Sequence, residues 1–406
     1  MLSSRRHPGT IGQIMRYSSF VQRISGEGAA AWEIHYRALE MRRQGRDVII
    51  LTIGEPDFDT PPSIIDAAVR ALRGGRTHYG PVTGDRELRS EIARQHQART
   101  GQPVGPDHVV VLAGAQCALF GAAVCVLDQR DEVIVPEPAY VTYGAVVGAS
   151  GACMMHVPLR PEREFALDVA DIAAAITPKT RALLINSPNN PTGAMVPRET
   201  WLVVGELCRE HDLWLLSDEV YGGIVFEGSH VSPAGLPGMA ERTITISSLS
   251  KSHAMTGWRL GWAIAPAELA EHIGRLALCM LYGSPLFVQD AALHALRHPA
   301  AELAAMQASY RRRRDLVCDR LGQVGGIGCH RPAAGMFVMA DVRGTGLPAQ
   351  RFAAELLEAE AVSVLPGEAF GPSAAGPVRI NLGNGDDELA EACTRIARFA
   401  ERRSKG

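Results

Sequence analysis

Lys251 sits in the run Ser247-Ser248-Leu249-Ser250-Lys251-Ser252-His253, with Arg259 eight residues later. Hydroxyls beside a lysine, followed by an arginine, suit an anion such as a phosphate; the plain alternative is an ordinary surface turn. Composition weighs between the two. Lys and Arg total 41, yet the only lysines are Lys179, Lys251 and Lys405. Lys179 stands in Thr-Pro-Lys-Thr, a typical exposed loop, and Lys405 in the C-terminal tail; Lys251 alone is embedded in apolar surroundings. A primary amine condenses with a carbonyl, and a guanidinium does not usefully do so. A chain that replaces lysine by arginine almost everywhere would still have to keep a Schiff-base lysine.

That chemistry points to pyridoxal phosphate (PLP), which needs a carboxylate against its pyridinium nitrogen, donors to its phenolic oxygen and a cup for its phosphate. Asp218-Glu219-Val220-Tyr221 supplies a carboxylate and a phenol. Asn189-Asn190-Pro191-Thr192-Gly193 supplies an amide, although Asn, Pro and Gly together also read simply as a turn. Gly114-Ala115-Gln116 would offer backbone N–H groups at a helix start, or mere close packing.

The elements that must carry these residues alternate along the chain. Strands are expected at Val109–Ala113, Glu132–Val135, Arg181–Asn186, Leu213–Ser217, Thr243–Ser247 and Leu260–Ala265. Helical patterns lie at Gln116–Leu127 and at Arg198–His211, which follows Pro197. Such alternation implies a mainly parallel sheet covered on both faces, with ligands at the carboxyl ends of its strands. The motifs above follow those ends. Two long helices are expected at Ala267–Leu281 and Ala300–Leu321. The last 80 or so residues change character, with strands at Met336–Asp341 and Val378–Leu382 and helices at Arg351–Glu358 and Asp387–Arg402, a smaller α+β unit.

Composition removes other classes. The 406 residues suit one large or two closely joined domains, and a net charge of -3 gives no reason to expect nucleic acid. The longest apolar run, Ala118 to Leu127, is too short to span a bilayer, and MLSSRRHPGT lacks the apolar core of a secretory signal. The eight cysteines form no C-x-x-C pair and no zinc-type cluster with histidine, so no metal is expected. They read as reduced, mostly buried cysteines of a cytoplasmic protein.

In this order and spacing, Ser248-Leu249-Ser250-Lys251 with Arg259 in Thr256-Gly257-Trp258-Arg259-Leu260-Gly261-Trp262, Asp218–Tyr221 and Asn189–Gly193 resemble the class I/II aminotransferases of PLP fold type I. Gly54-Glu55-Pro56-Asp57-Phe58, His78-Tyr79-Gly80 with Gly84, Ala113–Gln116 and Val378-Arg379-Ile380 match further positions, so the resemblance spans nearly the whole chain. It implies an α/β fold: a large PLP-binding domain (55–297) with a mainly parallel seven-stranded sheet flanked by helices, and a smaller α+β domain (15–54 and 298–406). Residues 1–14 read as a flexible extension.

The resemblance also implies roles. Lys251 would bond the cofactor and shuttle the proton between the substrate α-carbon and the cofactor. Asp218 would pair with the pyridinium, Tyr221 and Asn190 would donate to the phenolic oxygen, and Tyr140 would stack on the ring. Ala115, Gln116, Ser248, Ser250 and Arg259 would hold the phosphate, joined by Tyr79 from a neighbouring subunit in a homodimer with active sites at its interface. Arg379 would clamp the substrate α-carboxylate, helped by Asn190 and the Gly54 backbone. The reaction would be a ping-pong exchange between an amino acid and a 2-oxo acid.

In aspartate-specific relatives an arginine near the segment Ala277–Pro285 binds the side-chain carboxylate; here that segment has no basic residue. Met15–Ser18, Gly28–Arg37, Ser250–Trp258 and Leu278–Pro285 are similar to transaminases that pair arginine with pyruvate. The expected donor therefore carries a guanidino group, which Glu27, Trp32 or Glu33 would meet by ion pair or stacking. Other readings on the same scaffold are a biosynthetic transaminase for a cyclic guanidino amino acid such as enduracididine, a PLP-dependent lyase or oxidase, and a non-catalytic ligand-binding module.

Overall fold

A computed structural model describes residues 15–25 and 29–404. Seven strands form one sheet: β1 (Val109–Leu112), β2 (Glu132–Glu137), β3 (Cys153–Pro158), β4 (Thr180–Asn186), β5 (Trp214–Asp218), β6 (Thr243–Ser248) and β7 (Gly261–Ile264). Their order is β1-β7-β6-β5-β4-β2-β3, with β7 antiparallel to both neighbours and the other pairings parallel. Six of the seven follow the apolar runs. The exception is β3, whose residues Cys153, Met155 and His156 are exposed because it lies at the sheet edge, so it carries no continuous apolar signal. That edge position also leaves Cys153 exposed, as is Cys279. Three cysteines are half-buried and only Cys208, Cys318 and Cys393 are buried, which corrects the expectation of mostly buried thiols.

Helices cover the faces. Ala115–Val126 packs its small residues Ala118, Ala122 and Ala123 against the sheet, and Arg198–Glu210 anchors the other face with the fully buried Trp201. A second, antiparallel sheet follows, made of β8 (Gly328–His330), β9 (Phe337–Asp341), β10 (Leu365–Pro366) and β11 (Pro377–Asn381), in the order β10-β11-β9-β8. The long helix Ala301–Leu321 and the helices Ala349–Glu360 and Asp386–Ser404 pack around it. Ile49 and Ile50 pair with Val362 and Ser363, tying residues 49–50 to this unit. Its core also takes in Tyr221, Ile224 and Phe226 from the loop after β5, so the two sheets share packing where that loop crosses between them.

Candidate active site

The carboxyl ends of β4, β5 and β6 converge on a cavity of about 320 Å³, closed on its other side by Arg379 from β11 and Phe337 from β9. It is lined by Lys251, Asp218, Tyr221, Asn190, Tyr140, Ala115, Gln116, Ser248, Ser250, Arg259, Arg379, Gly54 and Trp32. Glu27 lies outside the described residues. Tyr79 is not brought to the cavity by its own chain: it is 85% exposed, its ring 4.8 Å from that of Tyr282. Glu33 is exposed and faces a different cavity.

Lys251 follows β6 by three residues, and its Nζ donates to the Gly54 carbonyl at 2.6 Å. Burial disfavours the ammonium, as do the nearby Arg379 and Arg259, and pulls its pKa down to about 8 against the pull of Glu55. Gly54 is small by necessity: a Cβ there would lie 2.4 Å from the Phe337 ring.

Asp218 ends β5 and is buried, which pushes its carboxyl up to about 6 although the Tyr143 hydroxyl donates to it at 2.6 Å. Asn186, at the end of β4, donates its side-chain amide to the Asp218 carbonyl at 2.9 Å and fixes the strand end. Burial also raises the Tyr221 phenol well above its ordinary value, so it stays a neutral donor.

The anion end is built by close backbone approach. The helix Ala115–Val126 starts from Gly114 at φ +86°, where a Cβ would fall 2.4 Å from Arg259 Nη2. A Cβ on Gly261 of β7 would fall 2.4 Å from the Ala115 nitrogen. The helix start, with its unpaired N–H groups, is thereby brought beside the guanidinium, which donates to the Thr256 carbonyl at 2.7 Å and the Ala113 carbonyl at 3.3 Å. The buried hydroxyls of Ser248 and Ser250 complete this end, whereas the Gln116 side chain is exposed and its Oε1 accepts from Thr142.

Arg379 is 4% exposed. Its Nη1 donates to Asn190 Oδ1 at 3.0 Å and its Nη2 to the Thr52 carbonyl at 2.5 Å, while Phe337 and Phe370 flank it with ring centroids 4.2 and 4.7 Å away. Burial lowers its pKa to about 10, so it stays charged near neutrality. Its buried Nε has no hydrogen-bond partner among the described residues, which leaves a charged donor ready for an incoming carboxylate.

Tyr143, Thr52 and the two phenylalanines escaped the motif reading. Tyr143 stands three residues after Tyr140 and starts the helix Tyr143–Ser150, a spacing that gave a signal once the helix start was known. Thr52 contributes a backbone carbonyl, which no side-chain pattern announces. Among the described residues no group of three or more His, Cys, Asp or Glu could hold a metal ion, and no helix is long and apolar enough to cross a membrane.

Taken together, the cavity offers a depressed amine, a buried carboxylate, an anion cup and an enclosed guanidinium. Residues 46–396 match the family model described as aminotransferase class I and II. Arginine–pyruvate transaminase AruH of Pseudomonas aeruginosa is 58% identical over 94% of this chain and 98% of its own. The aspartate/prephenate aminotransferase of Thermus thermophilus is 38% identical over 92% of this chain and 96% of its own. A solved structure of the Thermus thermophilus aspartate aminotransferase with maleate matches with a TM-score of 0.90 and 37% identity, covering 95% of this chain and all of that one. With its fold, its matched span and these relatives in agreement, this chain is a member of the class I and II aminotransferases.

Proposed function

We propose that the enzyme is PLP-dependent, takes its amino group from arginine or another guanidino amino acid and passes it to a 2-oxo acid such as pyruvate. The observation that carries the reading is one cavity joining Lys251, Asp218 and Arg379. Three features support a fit to PLP. The buried Asp218 carboxylate, costly on its own, needs a cationic neighbour such as a pyridinium. The cup between the Ala115–Val126 helix start, Ser248, Ser250 and Arg259 suits a phosphate, and the unpartnered Nε of Arg379 suits a carboxylate. When bound, PLP supplies a carbonyl to take the amino group and an electron sink that lets the donor Cα–H ionise.

The protein's own groups divide the remaining work. Arg379, oriented by Asn190 and Thr52, holds the α-carboxylate and so sets where the Cα–H points. Lys251, its pKa near 8, is the base that takes the α-proton and returns it one position away. Asp218, braced by the Tyr143 hydroxyl, would pair with the ring nitrogen of PLP and keep it protonated. Tyr221 and Asn190 would donate to the phenolic oxygen of PLP, and Tyr140 would pack on its ring. Ser248, Ser250, Arg259 and the backbone at Ala115 and Gln116 would hold the phosphate. Trp32, which lines the same cavity, would border the donor.

We read the assembly as a homodimer in which Tyr79 serves the partner's phosphate; the exposed Tyr79–Tyr282 pair, beside Leu278 at 47% exposure, supports that face. Residues 55–297 and residues 15–54 with 298–406 are proposed as the two domains, and the cytoplasm as the compartment, in keeping with eight free cysteines. The arginine reading rests on the 58% identity to the Pseudomonas enzyme. The test is incubation of the PLP-loaded protein with arginine and pyruvate. Alanine and 2-oxo-5-guanidinovalerate in equal amounts are expected; ammonia with oxygen uptake would instead mark an oxidase.

A further inference from the structure

A second, larger cavity of about 790 Å³ adjoins the first, sharing Tyr140, Val141 and Phe370 with it. Its far wall is formed by β3, the helix Tyr143–Ser150 and the helix Ala349–Glu360. Four carboxylates line it: Glu33 is exposed, Glu358 is paired with arginine, and Glu137 and Glu368 each keep a buried oxygen without a hydrogen-bond partner among the described residues. Glu137 ends β2 and is 3% exposed. Its Oε2 accepts from the Ser373 N–H at 3.1 Å, but its buried Oε1 has no hydrogen-bond donor among the described residues; His156 Nδ1 lies 3.3 Å away without making a hydrogen bond. Room for this carboxylate depends on Gly371, since a Cβ there would sit 1.8 Å from Oε1. Glu368 likewise has a buried Oε2 with no partner. The arginine that lines the cavity is already committed: Arg37 pairs with Glu358 at 2.9 Å, and Arg46 reaches the same carboxylate at 3.5 Å. Among the described residues the one other group in the lining that can carry positive charge is His156, which pairs with Glu137 only when protonated, so with a neutral imidazole the buried carboxylate oxygens keep free lone pairs.

We infer that this cavity receives the cationic side chain of the amino donor, with Glu137 and Glu368 as the specificity-determining carboxylates. The inference rests on the reading of the donor as a guanidino amino acid and adds where that group goes. Phe370 packs 4.7 Å from the Arg379 guanidinium and lines both cavities, so a donor held by Arg379 would lie beside it. A long side chain passing Tyr140 and Phe370 meets apolar surface from Ala139, Met154 and Leu357 along its methylenes, then the two carboxylates at its head. A planar guanidinium with five N–H donors matches two separated carboxylates better than a point-like ammonium does. The same carboxylates repel an acidic side chain, so the site would discriminate by repulsion as well as by attraction.

The test compares L-arginine with L-citrulline, nearly the same shape but uncharged, as donors to pyruvate for the PLP-loaded wild type and the variants Glu137→Gln and Glu368→Gln. Wild type is expected to favour arginine in kcat/KM, and each variant to lower the arginine-to-citrulline ratio about tenfold or more, the effect of removing one charge-assisted hydrogen bond from an enclosed site. Binding of n-propylguanidinium, which has neither α-amine nor α-carboxylate, gives a readout apart from turnover and is expected to weaken in both variants. If wild type transaminates other amino acids but not arginine, the donor reading fails. If wild type uses arginine while both variants keep the wild-type ratio and bind n-propylguanidinium unchanged, the cavity assignment is overturned. Should Glu137→Gln not fold, Glu368→Gln and Glu368→Asp decide by the same ratio.

Discussion

The two ends of the active cavity are built differently. The end proposed for the cofactor comes from strand ends of the large sheet and the short pieces that leave them: Asp218 closing β5 and Tyr221 after it, Ser248 closing β6 with Ser250 and Lys251 after it, and Ala115 after β1. The carboxylate end is assembled over distance. Arg379 lies 189 residues from Asn190 and 327 from Thr52, and its flanking rings come from β9 and the turn Gly367–Phe370. The first end carries its geometry within each motif, so local sequence suffices to place the groups. The second exists only when the small sheet packs against the large one, and its precision depends on that packing.

This contrast predicts separable failures. The largest effect is expected from Lys251→Ala, which should lower transamination by about a thousandfold or more and remove the visible absorbance of a lysine-bound cofactor, read in single-turnover and spectral measurements. Arg379→Ala should leave PLP bound while lowering kcat/KM for amino and oxo acids about a hundredfold, the cost of losing an enclosed carboxylate partner. If it releases PLP with substrate affinity intact, the division between the two ends is wrong. Gly114→Ala should do the reverse, weakening PLP affinity about tenfold by pushing Arg259 aside and straining φ +86°, as equilibrium titration with PLP would report. Tyr143→Phe should give the smallest change, a fall of about tenfold in kcat with PLP still bound, because Asp218 loses its buried donor.

Protons follow the same division. In the PLP-free protein the Asp218 carboxyl titrates near 6, above its unfolded value. The folded state therefore holds the extra proton between about pH 4 and 6, and Asp218's contribution to stability is lost as pH rises through that range. Thermal melts of the PLP-free protein should show this loss, and Asp218→Asn should remove it. In the PLP-free protein the Lys251 amine should lose its proton as pH passes about 8, so its condensation with added PLP should speed up over that range, as stopped-flow absorbance would report.

The residues that the motifs assign to the cofactor, Tyr79 apart, do line one cavity, because each motif stands at a strand end of the large sheet. The sequence also carried Arg379, through the family match at Val378–Ile380. It did not carry Thr52, which acts through a carbonyl that any residue has, or Phe337 and Phe370, indistinguishable in sequence from core aromatics. Edge strand β3 was hidden for a related reason: exposure removes the apolar run that announces a buried strand. Tyr79 shows the limit from the other side, a residue matched by motif whose expected place lies on another copy of the chain.

The scarcity of lysine has a practical consequence. A protease specific for lysine can cut this chain only after Lys179, Lys251 and Lys405, leaving residues 1–179, 180–251, 252–405 and the single residue Gly406. Lys179 is exposed, whereas Lys251 lines the cavity. A carbonyl compound fixed to Lys251 by borohydride would abolish the middle cut and leave residues 180–405 as one piece. In the denatured protein the digest itself then counts occupied sites, with no label and no assay of turnover.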